Sequence, residues 1–172
     1  MQTQMLIGGV WSDGPDRVSV TNPATGEEIA TVAAGGPAEA TAAVEAADQA
    51  QRSWAQTAPR VRAEVLRSCW QTLIDHTDEL ATLITLEHGK PLADAKGEIA
   101  YAAEFFRWNS EEAVRIDGII KTAPGGANKI IVHHPPVGVV VMVTPWNFPA
   151  AMITRKAGPA LAAGCPIVIK PA

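Results

Sequence analysis

Apolar positions follow three different periods along the chain, and each period predicts its own kind of element. Up to about residue 35 they come in short alternating bursts. Leu6-Ile7-Gly8-Gly9-Val10 reads as a short strand with a glycine turn, Val18-Ser19-Val20 alternates, and Glu28 to Val32 is another strand. Asn22-Pro23-Ala24-Thr25-Gly26 punctuates them, so this stretch is expected to fold as hairpins. From Pro37 the spacing changes to three and four. Ala40, Val44, Ala47, Gln51 and Trp54 share a helical face, and Pro37 suits the first turn. Pro59 opens a second helix with Val61, Val65, Cys69 and Leu73 expected inward. Thr77 is expected to N-cap a third, with Asp78 and Glu79 in its first turn, where the helix dipole favours anions. Gly89 is its expected left-handed C-cap, with Pro91 just beyond. A fourth helix runs from about Leu92 to Val114, with Leu92, Ile99, Ala103 and Phe106 inward.

The texture then changes twice. Ile119-Ile120 and Lys129 to His133 read as two strands around Pro124-Gly125-Gly126, a β-arm leaving the helical body. Val137 to Val143 is a continuous apolar run, expected as a strand buried on both faces. Thr144 to Pro149 is a loop, Ala150 to Ala163 a helix closed by Gly164, and Pro166 to Lys170 a second buried strand. Strand, helix, strand is a βαβ unit, so the class is α/β with a Rossmann-like parallel sheet. Ligands of open parallel sheets sit at the carboxyl ends of the strands. Thr144 to Pro149 and Lys170 to Ala172 both lie there. Two parallel strands make an unfinished layer, so the chain is expected to be the N-terminal part of a longer polypeptide.

Composition narrows the class. Fourteen Lys plus Arg against eighteen Asp plus Glu give a net charge of −4, which argues against nucleic-acid binding. A hydrophobic content of 47% supports a globular core. Cys69 and Cys165 form no CxxC pair, so no zinc site or redox dithiol is readable, and the usage fits a reducing compartment. Met1 to Thr21 has no basic residue before Arg17 and does not read as a secretory signal. The purest apolar run is far shorter than the roughly twenty residues a membrane helix needs. A cytoplasmic protein with no metal, membrane or nucleic-acid partner is the expectation.

Few residues invite chemistry. Asn147 lies between Pro145 and Pro149, flanked by Trp146 and Phe148. A neutral amide in a dry loop can stabilise an oxyanion without titrating, but spacing alone favours a turn asparagine bonding its own backbone. Lys170 ends a strand at the ligand edge, where it suits ribose hydroxyls or phosphate, or simply snorkels. No G-x-G-x-x-G follows the first strand. Cys165 joins helix to strand at the amino end of the sheet, away from the expected site, and Cys69 reads as a small buried hydrophobe. His133 and His134 are neighbours on a strand, a poor metal pair. His76 and His88 lie near helix ends and are expected at the surface.

Three segments carry a resemblance. Thr144-Pro145-Trp146-Asn147-Phe148-Pro149, Lys156-Ala157-Gly158-Pro159-Ala160-Leu161-Ala162-Ala163-Gly164-Cys165 and Ile169-Lys170-Pro171-Ala172 strongly resemble the NAD(P)-dependent aldehyde dehydrogenases. Asn22 to Glu27 and Glu87-His88-Gly89-Lys90-Pro91-Leu92 agree. Ala151 to Lys156 is most similar to succinate-semialdehyde dehydrogenases. The resemblance implies that Asn147 donates its amide to the oxyanion of a thiohemiacetal. It also implies that Thr144, Pro145, Trp146, Asn147, Lys170, Pro171 and Ala172 border NAD or NADP, with Lys170 on the adenosine ribose. Phe148 would line the substrate tunnel, and Arg155 would grip the far carboxylate of succinate semialdehyde. Residues 1–117 and 136–172 would belong to the cofactor-binding domain and 118–135 to an oligomerisation arm, implying a homo-oligomer. The family's nucleophilic cysteine and general-base glutamate would lie far downstream, outside this chain. Two rivals stand beside this reading: a non-catalytic product acting through its interaction surfaces, and a dehydrogenase for another aldehyde, such as a betaine or medium-chain aldehyde.

Overall fold

A computed structural model describes residues 2–172. The early alternation folds into two antiparallel hairpins. β1 (Met5–Ile7) pairs with β2 (Val10–Ser12), turning on Gly8 and Gly9 at φ of +57° and +82°. Two successive positive φ values suit the tight turn whose twist matches that of the strands. β3 (Asp16–Thr21) pairs with β4 (Glu28–Ala34) across the Asn22 turn, where Asn22 Oδ1 accepts the Ala24 N–H at 2.9 Å.

Four helices follow: α1 (Pro37–Gln56), α2 (Pro59–Asp75), α3 (Thr77–His88) and α4 (Leu92–Glu112). α2, α3 and a fifth helix, α5 (Ala151–Ala162), all pack on α4. Their interfaces are built from small residues. Ala63, Leu66, Ala113 and Ala162 form one buried cluster, and Ala81, Ile84, Ala95 and Ile99 another. Small side chains let helix backbones approach closely. Gly158 of α5 shows how closely: a Cβ there would lie 2.9 Å from the Phe105 carbonyl oxygen of α4.

Several expectations about helix faces need correction. On α2 the buried residues are Arg62, Ala63 and Leu66, while Val61 and Val65 are exposed. The valines mark a strong apolar period, but the side facing α4 and α5 needs small residues and a cation. Arg62 supplies the cation, donating to the Ala162 carbonyl at 3.0 Å and to that of Thr57, so it caps the carboxyl ends of α5 and α1. On α1 only Ala47 is buried, and Ala40 and Val44 are exposed, because α1 packs mainly on β1 and the strand after α5. On α4, Ile99 and Ala103 are buried as expected and Phe106 packs against the α2 cluster, but Leu92 in the first turn is exposed. The N-cap of α3 is His76. With a single residue between α2 and α3, the Thr77 hydroxyl instead reaches back to the Leu73 and Ile74 carbonyls at the end of α2, at 3.2 and 2.8 Å. Gly89 does close α3 in the left-handed conformation at φ +78°.

β5 (Ile119–Thr122) and β6 (Lys129–Val132) form a hairpin whose first strand is exposed throughout. His133 and His134 lie beyond β6, and the His134 ring sits 2.7 Å from the Asp117 carbonyl. β7 (Val140–Val143) and β8 (Ile167–Lys170) pair in parallel around α5. This is the α/β unit expected, with one correction. β7 is covered on one face only: Met142 is 2% exposed and Val143 is 69% exposed. Among the described residues the helical layer lies on that one side, and the apolar run continues onto the open face. No helix among the described residues is long and apolar enough to cross a membrane.

Candidate active site

Parallel pairing sets the carboxyl ends of β7 and β8 side by side. Val143 lies opposite Lys170, and the Thr144 N–H donates to the Lys170 carbonyl at 3.1 Å. The Thr144–Asn147 loop and the Lys170–Ala172 segment therefore share one edge. Thr144 is buried, while Pro145, Trp146, Asn147, Phe148, Lys170, Pro171 and Ala172 are exposed there. An exposed ammonium beside exposed loop backbone is a donor set that suits the hydroxyls of a dinucleotide ribose.

The loop runs straight into α5, whose N-terminus lacks a local side-chain acceptor. Its N-cap is Ala150, and no acidic residue lies in its first turn. The acceptor comes from α4. Glu98 Oε1 takes the N–H of Ala150 at 2.9 Å and that of Ala151 at 3.3 Å. The other carboxylate oxygen of Glu98 is paired with Lys90 Nζ. Lys90 also donates to the Asn147 carbonyl at 3.4 Å and sits 4.2 Å from the Phe148 ring centroid. The Glu98 side chain is 1% exposed and that of Lys90 12%, so solvent screens this pair little. Asn147 is thus held by its backbone carbonyl. Among the described residues its side-chain amide makes no hydrogen bond to the turn, which leaves it free to donate.

Trp146 is held from a second side. Its ring stacks on His88, with centroids 5.6 Å apart and planes inclined by 30°. Both ring nitrogens of His88 are buried without a partner, so its expected surface placement is corrected: the end of α3 lies beneath the loop rather than at a free surface. On α5, Arg155 and Lys156 part company. Lys156 bends back to the Met152 carbonyl at 3.1 Å, whereas the Arg155 guanidinium is exposed, 5.9 Å from the Phe105 ring centroid. Cys165 is buried just before β8, at the opposite edge of the strand pair. Cys69 is half-buried on α2, and burial pushes its thiol above the ordinary range, against a smaller opposing pull from a backbone hydrogen bond. Neither cysteine reaches the loop edge.

Lys90, Glu98 and His88 escape sequence reasoning. One signal for Glu98 was present: a carboxylate sharing its helix face with Ala95 and Ala102, both fully buried. Nothing local marks the loop contacts of Lys90 and His88, because Asn147 and Trp146 lie more than fifty residues away.

The sequence pattern of the aldehyde dehydrogenase family matches residues 10–172. The chain is 53% identical to the glutarate-semialdehyde dehydrogenase of Pseudomonas putida, over 98% of its own length and 36% of that protein. It is 50% identical to the NADP(+) succinate-semialdehyde dehydrogenase of Escherichia coli, again over 98% and 36%. Its fold superposes on the crystal structure of succinate-semialdehyde dehydrogenase from Burkholderia pseudomallei with a TM-score of 0.96 at 48% identity, covering 99% of this chain and 36% of that one. The chain belongs to the aldehyde dehydrogenase family. It spans about a third of the length of these relatives.

Proposed function

We propose that the polypeptide carrying this chain oxidises a short aldehyde to its carboxylic acid, with NAD or NADP as cofactor, and that the aldehyde bears a carboxylate at its far end, as succinate semialdehyde does. The observation that carries this reading is the company of an unengaged amide, Asn147, and an exposed guanidinium with no carboxylate partner among the described residues, Arg155, on the loop and helix that follow β7. The Asn147 N–H donates to the substrate oxygen as it gains negative charge. Being neutral, the amide needs no particular pH to do so. Arg155 holds the distant carboxylate through two parallel hydrogen bonds, a geometry lysine lacks. Phe148 flanks the substrate chain.

Thr144, Pro145, Trp146, Lys170, Pro171 and Ala172 would border the cofactor, with the Lys170 ammonium on a ribose hydroxyl. A nicotinamide held there would supply the hydride acceptor. The nucleophile and general base of this chemistry are assigned to no residue between 1 and 172. Residues 118–135 serve as the arm through which copies assemble into a homo-oligomer in the cytoplasm, while 1–117 and 136–172 belong to the cofactor-binding domain. Glutarate semialdehyde is the second reading, favoured by the Pseudomonas relative. It differs from succinate semialdehyde by one methylene, which an enzyme discriminates by only about 1–3 kcal/mol.

The test compares Arg155→Ala and Arg155→Lys in the complete polypeptide. Substrates are succinate semialdehyde, glutarate semialdehyde and an uncharged aldehyde of similar length. We expect kcat/KM to fall by about 1.5–3 kcal/mol for the charged substrates alone. Equal loss on all three would leave an unspecified aldehyde. No NAD(P)H from any aldehyde with the wild type would favour the non-catalytic reading.

A further inference from the structure

An amide donor is useful only where it is held still. Between the Thr144 N–H, tied to β8, and the Phe148 carbonyl, which accepts the Met152 N–H at 2.9 Å, the loop has three residues. Among the described residues, their one polar tie to the rest of the fold is Lys90 to the Asn147 carbonyl. Lys90 follows the left-handed Gly89 and precedes Pro91, so its backbone is restricted. Its ammonium is fixed in turn by Glu98, which grips the first two N–H groups at the start of α5. One buried carboxylate in the second turn of α4 thus joins the α3–α4 turn to the start of α5 and, through Lys90, to the Asn147 carbonyl.

We propose that Lys90 and Glu98 are positioning residues for Asn147. They hold the loop between β7 and α5 at a fixed offset from the strand edge, and so set kcat without touching substrate or cofactor. This rests on the dehydrogenase reading for its catalytic consequence but not for its mechanical one. The pair acts through placement: Lys90's charge is balanced by Glu98, and its contact with Asn147 is to the backbone, so the side-chain amide stays available.

The experiment reads both consequences in the complete polypeptide. Lys90→Met removes the tie to Asn147. The double variant K90M/E98Q does so without leaving a lone buried charge, which guards against loss of the fold. Lys90→Arg restores a cation at the same place. Hydrogen exchange across residues 144–152, compared with exchange across β7, reports the anchoring. Steady-state kinetics reports the chemistry. We expect faster exchange in 144–152 with β7 unchanged, and kcat lower by about 10–100-fold, the loss that misplacement on the order of 1 Å brings. KM for NAD(P)+ should stay within about twofold, and Lys90→Arg should recover part of kcat.

Exchange in 144–152 that matches wild type would overturn the proposal. So would faster exchange with unchanged kcat, or a fall in kcat accompanied by uniformly faster exchange, since the pair would then be ordinary core. If wild type forms no NAD(P)H from any aldehyde while 144–152 still loosens, the dehydrogenase reading fails and the anchoring stands.

Discussion

α1 and α5 both start without a side-chain hydrogen bond from the N-cap residue, and they solve the problem in opposite ways. α1 is served from within. Glu39, in its first turn, accepts the Gly36 N–H at 2.7 Å, and Pro37 occupies a position whose N–H is not needed. α5 is served from another helix. Glu98 reaches it across 52 residues of chain and is itself locked to Lys90. A local cap stabilises a helix wherever that helix happens to lie. An imported cap also fixes where the helix starts relative to its neighbour. The imported one is found at the end of the loop that carries Asn147.

Replacing Glu98 by Leu should give the largest effect. The substitution leaves a largely buried ammonium without its partner and removes the acceptor of two N–H groups. We expect a loss of about 3–5 kcal/mol in urea denaturation, the range for breaking a buried pair from one side. A loss under about 1 kcal/mol would put the imported cap on the same footing as a local one, and the contrast between the helices would be lost.

That contrast also explains what could be read in advance. The order of elements, the hairpin turns, the Gly89 cap and the βαβ unit were all legible, because each rests on residues within a few positions of one another. The loop edge with Asn147 and Lys170 was legible from strand topology. The braces were not. Glu98 shares the period of an apolar face, Lys90 resembles any solvated lysine, and the distant residue each one contacts leaves no local mark. The face of α2 was misjudged for a related reason. Valines at a helical spacing dominate the pattern, while the buried side is set by Arg62 under two helix ends and by Leu66.

A smaller effect is expected at Gly158. Glu98 meets α5 at its first residues, and α4 and α5 stay in close contact about two turns further on, at Gly158. An added Cβ would meet the Phe105 carbonyl oxygen at 2.9 Å and Asn109 Nδ2 at 3.0 Å, and that nitrogen already donates to the same carbonyl at 2.7 Å. Backbone cannot yield as a flexible side chain can, so Gly158→Ala should cost about 1–3 kcal/mol through overpacking. If the strain moves α5 away from α4, the Glu98 cap is weakened already. Gly158→Ala combined with Glu98→Leu should then destabilise by less than the sum of the two. Strict additivity in the same urea series would mean that the close crossing and the imported cap are independent features.

The smallest effect belongs to the local cap. Glu39→Ala removes one acceptor for the Gly36 N–H and one negative charge from the first turn of α1. The site is partly exposed, so water takes over the freed N–H, and the dipole interaction is screened. A loss of about 0.5–1 kcal/mol is expected in urea denaturation, with Glu39→Gln in between, since the amide oxygen can still accept. Hydrogen exchange distinguishes the two kinds of cap more sharply than the stability difference does. With Glu39→Ala, faster exchange should stay within the first turn of α1, because that cap ties the helix to nothing else. Loosening that spread to β7, β8 or the Asn147 loop would show that α1 also has its position set from its start, and the distinction between stabilising a helix and placing it would not hold in this fold.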